Sequence, residues 1–420
     1  MQTSKLTLNP NYIAMVRGTI ALHTLIAEGK DDSPEADAIR DATDAPWETL
    51  SEIERERVRG LSEDLYSLTD SVTQKPMNDQ AISQILGAVE ARRQGNWDRA
   101  LELMRHVAPY VDPAILSFQR GAIWREAGEM EAATVFFGYS HRLQPENPSF
   151  WALYLDALDF ANPDEAKQHS TKILESAEKT PPTVVARAAD IVFKAIREGK
   201  NANSIYGYQQ LIPVLSDNLE RLENDLSDGE HRSATMLNLY LLGATHASLH
   251  QSQIAEKYYS RGLELAPAHE GFLVARGMLL YGYSERAVLD FEATLRVGAS
   301  LVWPFYFLAH HYLVNEQFDE SRRLCERALE LNSSTSVRSE LYEWLAITQA
   351  ILRFPQEIVR TTFEQAIRTD PNNDRAKRNR RLFEAGHFHP LKEWETPASI
   401  AVRNARTLEH RQEYSFSFAA

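Results

Sequence analysis

The feature that most limits how this chain can fold is a recurrence of about 34 residues, because a period of that size points to stacked supersecondary units rather than one closed core. The clearest copy runs from Ala114 to Asn147. Gly121 is its small residue in a first helix, with Trp124 one turn on. Gly128 makes the turn, Ala133, Phe137 and Ser140 share one face of a second helix, and Pro145 ends the unit. A second copy from Met236 to His269 places Gly243, His246, Ala255, Tyr259, Gly262 and Pro267 in the same order. A third begins near Val302 with Leu308, Ala309, Tyr312, Phe318, Ser321, Cys325 and Ala328. Gly87, Ala88, Gly95, Trp97, Ala100, Met104 and Val107 form the unit ahead of the first copy, and Phe363, Ala366 and Pro371 close the last.

The physics of the pattern is plain. Small residues at fixed places let two helices approach closely, and large apolar residues at intervening places fill the space between ridges. One hairpin cannot bury both of its faces, so neighbours must stack. The spacing resembles the tetratricopeptide repeat over roughly residues 80 to 375. It is looser near Trp151 to Thr180, Glu270 to Ser300 and Glu340 to Pro371. The unit starting near Val185 departs most, with a long second helix from about Ser204 to Glu223 and an acidic loop through Asp225, Asp228 and Glu230. The resemblance implies an all-α, right-handed solenoid of about seven or eight helical hairpins, with a concave surface lined by first helices.

The flanks outside the repeat still read as helical. In residues 1–75, Ser33-Pro34-Glu35 is a helix start and Ser51 with Glu54 a capping box. Ala45-Pro46-Trp47 reads as the joint between two helices, and the segment as a helical cap on the first repeat. After Pro371, a basic helix through Arg375, Lys377, Arg378, Arg380 and Arg381 suits a C-terminal cap, with an irregular tail over the rest of 376–420. The alternation Tyr414-Ser415-Phe416-Ser417-Phe418 has a strand period.

Proteins of the resembled family hold ligands on the concave face, so first-helix positions are the candidate site. The register offers Tyr240, Met278, Tyr281, Trp303, Tyr306, Phe307, His310, Glu343 and Trp344 in the C-terminal half, an aromatic run suited to an extended peptide or an amphipathic helix. The N-terminal half offers Arg92, Arg93, Arg125, Glu126, Asp156 and Asp159, charges that would fix a peptide's register or simply face water; Arg93 and Arg125 are carried as groove candidates. The Lys/Asn/Arg carboxylate clamp of some family members has no counterpart here.

Catalytic signals are thin. There is no phosphate loop of the Gly-x4-Gly-Lys type and no Gly-x-Ser-x-Gly elbow. His246 and His250 have the spacing of two metal ligands, but the repeat places the first in the core and the second at the turn. His387 and His389 form a short His-x-His, while the adjacent His310 and His311 point about 100° apart. The single cysteine, Cys325, takes a core position. A net charge of −14 disfavours a nucleic-acid backbone. No signal peptide is read at the N-terminus, and no run reaches the roughly 18 apolar residues of a membrane helix. The expectation is a cytoplasmic, non-enzymatic scaffold or adaptor without metal or cofactor that binds a protein or peptide. The alternative is a regulatory sensor whose groove holds a small ligand or the chain's own tail.

Overall fold

The computed structural model describes residues 9–69, 73–199 and 204–386. Among these residues there are twenty α-helices and no strand, so the all-α architecture expected from the repeat is present. The chain divides into two compact units, 1–192 and 193–420.

The first unit opens with α1 (Pro10–Ala27), α2 (Pro34–Thr49) and α3 (Glu52–Tyr66). Three hairpins follow: α4 (Asp79–Arg93) with α5 (Trp97–His106), α6 (Pro113–Glu126) with α7 (Met130–Leu143), and α8 (Pro148–Ala161) with α9 (Pro163–Glu175). Their starts follow from local chemistry. Asn78, Asp112, Asn147 and Asn162 accept hydrogen bonds from the exposed amides of the first turn, and Pro113, Pro148 and Pro163 occupy first-turn positions where no amide donor is needed. The capping box between Ser51 and Glu54 forms in full. Pro46, however, is not a joint: α2 runs through it to Thr49, and the break falls at Leu50 and Ser51. Pro46 sits in the last turn of that helix, where only one ladder bond is lost.

The three N-terminal helices are bound into the same packing as the hairpins. Tyr12 Oη donates to Glu129 at 2.6 Å, Arg17 to Glu131 at 2.8 Å and Arg57 to Asp98 at 2.8 Å. Asp64, fully buried, accepts from Arg105 at 2.7 Å and faces Arg120 at 3.7 Å. These contacts hold α1 and α3 against α5, α6 and α7. The three N-terminal helices and the hairpins that follow them lie in one compact unit.

α10 (Pro182–Glu198) crosses from one unit to the next. The second unit continues with α11 (Ser204–Leu222) and the hairpins α12 (Gly229–Ser248) with α13 (Ser252–Leu265), α14 (Glu270–Leu280) with α15 (Arg286–Arg296), α16 (Val302–Val314) with α17 (Phe318–Leu329) and α18 (Thr335–Ile351) with α19 (Gln356–Thr369). α12 begins at Gly229, ahead of the repeat start read at Met236, and takes Glu230 out of the supposed acidic loop. α20 (Asp374–Glu384) closes the series against α18 and α19. Within this unit α12, α14, α16 and α18 form one layer of first helices, each touching the next.

The repeated small residues explain the close approach. A Cβ on Gly121 would meet the Phe137 ring at 2.9 Å, and one on Gly277 would meet Phe291 at 2.8 Å. Turn positions that lack glycine adopt its conformation anyway: His250, Glu316 and Arg353 have φ of 59°, 60° and 59°.

Candidate partner-binding surfaces

Of the aromatic residues singled out in the C-terminal half, Tyr240, Trp303, Tyr306, Phe307, His310 and Trp344 lie on first helices, and Tyr281 caps the C-terminal end of α14. Their side chains fill the seams between successive first helices. Tyr306 packs on Trp344 with ring centroids 4.7 Å apart, and His310 packs on the same indole at 5.2 Å. Tyr281 lies 4.8 Å from Phe307 and donates to His310 Nδ1 or accepts from it at 2.9 Å. Tyr240, Met278, Tyr281, Tyr306, Phe307, His310 and Trp344 are all buried, while Trp303 is half-buried. The cause is the size of the side chains: adjacent first helices touch, so a large ring on one spans the gap to the next.

Glu343 is fully buried and engaged within the molecule. Arg375 donates to it at 2.7 Å, Asn379 at 2.8 Å and Asn373 at 3.2 Å. Arg375 also meets Glu340 at 3.5 Å, and Glu340 accepts from Tyr306 at 2.5 Å. Arg375 of α20 thus docks on the buried Glu343 and the half-buried Glu340 of α18.

An open cleft lies on this layer. It has a volume of about 360 Å³, and Tyr281 and His310 line it together with Tyr283, His311 and Val314. Tyr283 is 70% exposed, at the turn after α14 where Gly282 takes φ 83°. His311 is held below the usual imidazole range by burial.

The first unit presents a different face. Ile82, Leu86 and Val89 stand 46%, 64% and 52% exposed on α4, at i, i+4 and i+7, and therefore in one stripe. Arg93, four residues on, extends the stripe with a side chain 78% exposed. Ile115 on the neighbouring first helix α6 is also exposed. Arg92 joins the two helices by donating to Glu126 at 2.8 Å. Arg125 lies over the Phe137 ring at 5.9 Å, and burial pushes its guanidinium pKa down. Asp156 is taken up by Arg187, which also donates to Asp190 at 2.5 Å. The aliphatic stripe was not among the sequence candidates, although its helical spacing was visible.

The remaining sequence candidates have intramolecular surroundings. His246 shares a 2.5 Å hydrogen bond between Nδ1 and Gln251 and stacks on Tyr258. His250 stands at the turn with its left-handed backbone. Cys325 is fully buried, which pushes its thiol pKa up. Among the described residues no three His, Cys, Asp or Glu side chains gather into a metal-holding group, and no helix is long and apolar enough to cross a membrane. His387, His389 and Tyr414 to Phe418 lie outside the described residues.

No protein-family model matches the chain, and no curated protein matches it. Solved structures do. A tetratricopeptide repeat protein from Parabacteroides merdae aligns at 12% identity and a TM-score of 0.43, over 65% of this chain and 100% of that one. Yeast Tom70 aligns at 12% identity and 0.32, over 79% and 76%. The C-terminal part of a TPR repeat-containing protein from Cytophaga hutchinsonii aligns at 13% identity and 0.33, over 70% and 98%.

Proposed function

We propose that this chain is a protein-interaction scaffold that seats an amphipathic helix of a protein partner on α4, a first helix of its first unit. The observation that carries the reading is the stripe of Ile82, Leu86 and Val89 on α4. Three adjacent aliphatic side chains left in water along about 10 Å of one helix are costly unless something covers them. Their spacing matches the i, i+3/i+4, i+7 anchors by which a partner helix lays its apolar face on a surface. Arg93 at the end of the stripe, 3.8 Å from the exposed Glu90, can exchange that pairing for a partner carboxylate and so set direction. The Tyr283 cleft on the other unit is a separate place that could take a single apolar side chain.

Affinity purification of the full chain against a Leu86→Glu, Val89→Glu variant tests this. Both sites are exposed, so the variant should keep its far-UV circular dichroism and melting temperature. A partner held by wild type and lost by the variant is the expected result. A partner retained equally by the variant, but lost with Tyr283→Ala, would move the site to the cleft. No partner with either would overturn the scaffold reading.

A further inference from the structure

On the second-helix side of the first unit, faces of three helices converge on a pocket of about 420 Å³. His141 and Arg142 reach it from α7, His169 and Lys172 from α9, and Trp151 with Tyr154 lies between them on α8. The spacing is that of helix faces: Trp151 and Tyr154 are i and i+3, and so are His169 and Lys172. The rings form a fixed wall. His141 stacks on Trp151 at 5.0 Å and on Tyr154 at 5.9 Å, and Tyr154 meets His169 edge-on at 6.4 Å.

The charge of this pocket is unusual for the molecule. The chain carries 59 acidic against 45 basic side chains, yet no carboxylate lines the pocket. Many of the arginines are spent in ion pairs, for example with Glu131, Asp98, Glu126 and Asp290. Among the described residues, Arg142 and Lys172 have no carboxylate within ion-pair distance; Arg142 lies over the Tyr139 ring at 5.7 Å. Glu165 lies 3.8 Å from His169 Nε2. The Nδ1 atom of His141 is buried without a hydrogen-bond partner. Burial first, then the charges of Arg142 and His169, hold its imidazole below the usual range.

We propose that this pocket binds a phosphate monoester, with the phosphate between Arg142 and Lys172 and its organic group against Trp151 and Ile173. A guanidinium offers a planar fork of donors to phosphate oxygens, and the ammonium supplies a point charge beside it. A phosphate carries close to two negative charges near neutral pH, so the two cations complement it better than they would the single charge of a carboxylate ligand. The aromatic and aliphatic wall accounts for the other half of the ligand, since such sites combine apolar lining with a few placed polar groups. The site is separate from the α4 stripe and does not depend on it.

Calorimetric titration of the full chain with phenyl phosphate, inorganic phosphate, phenol and benzoate tests the assignment. Phenyl phosphate should bind at least about tenfold more tightly than each of the others. An Arg142→Ala, Lys172→Ala variant should lose about tenfold or more of that affinity while melting as wild type does, since both side chains are exposed. Phosphotyrosine peptide binding more tightly than phenyl phosphate would assign the ester to a partner protein, and equal affinity would assign it to a free ligand; either result is support. No binding at low-millimolar phenyl phosphate, equal binding of benzoate, or unchanged affinity in the double variant would overturn it.

Discussion

Gly243 shows at the residue scale why the repeat has its spacing. A Cβ placed there would run into the Tyr259 ring, and that ring is fully buried against the first helix. Two opposing effects follow for Gly243→Ala. Helix propensity favours alanine by about 1 kcal/mol. Overpacking against a ring that has little room to move costs about 1–3 kcal/mol. The overpacking is the larger, so Gly243→Ala should lower stability in urea denaturation by about 1 kcal/mol. In a Tyr259→Val background the obstacle is gone, and the same substitution should become stabilising. If the sign did not reverse between the two backgrounds, ring contact would not be the reason for the glycine.

The elements were largely legible because packing between paired helices fixes their residues. Gly121 opposite Phe137, Gly243 opposite Tyr259 and the turns at Gly128 and His250 are set inside one hairpin, so local sequence carries them. Contacts between hairpins are less visible. Nothing in the local pattern says that Tyr306 lies on Trp344, or that Asp64 pairs with Arg105 and faces Arg120. An aromatic residue on the inner face of a first helix reads as surface until the side chain on the next helix is known. Conversely, the helical spacing of Ile82, Leu86 and Val89 does not by itself tell an exposed stripe from a buried one, because aliphatic residues at that spacing are usually buried. At this scale α20 also acquires its role. Glu343 is buried without solvent contact, and Arg375 is its cation. Arg375→Ala should cost about 3 kcal/mol, chiefly by stranding that carboxylate. Amides of 376–384 should then lose hydrogen-exchange protection before those of α16 do. A Glu343→Gln, Arg375→Ala double variant should recover much of the loss, because no unpaired charge remains. Unchanged exchange in α20 after Arg375→Ala would show that the helix is held by other contacts.

Stacked hairpins distribute stability differently from a single closed core, and the second unit is where that difference can be measured. Each hairpin there packs mainly on its immediate neighbours in sequence, so its stability is an intrinsic part plus the interfaces on either side. One core cluster of this unit extends from Val274 to Phe363, drawn from α14 to α19. Phe363 on α19 is fully buried in it and lies 6.2 Å from the Phe383 ring of α20. Phe363→Ala should cost about 3–5 kcal/mol in lost burial and cavity. In a single cooperative core that loss would lower the protection of every slowly exchanging amide in the unit alike. In a linear stack it is confined to the damaged hairpin and its neighbours. Native-state hydrogen exchange on Phe363→Ala should therefore show α18, α19 and α20 opening more readily, α16 and α17 less affected, and α12 and α13 close to wild type. A uniform drop across α12 to α20 would mean that the hairpins unfold as one body, and that partner binding on one of them stabilises all of them. A graded drop would mean that a partner seated on one hairpin protects that hairpin and its neighbours and leaves distant ones free to open.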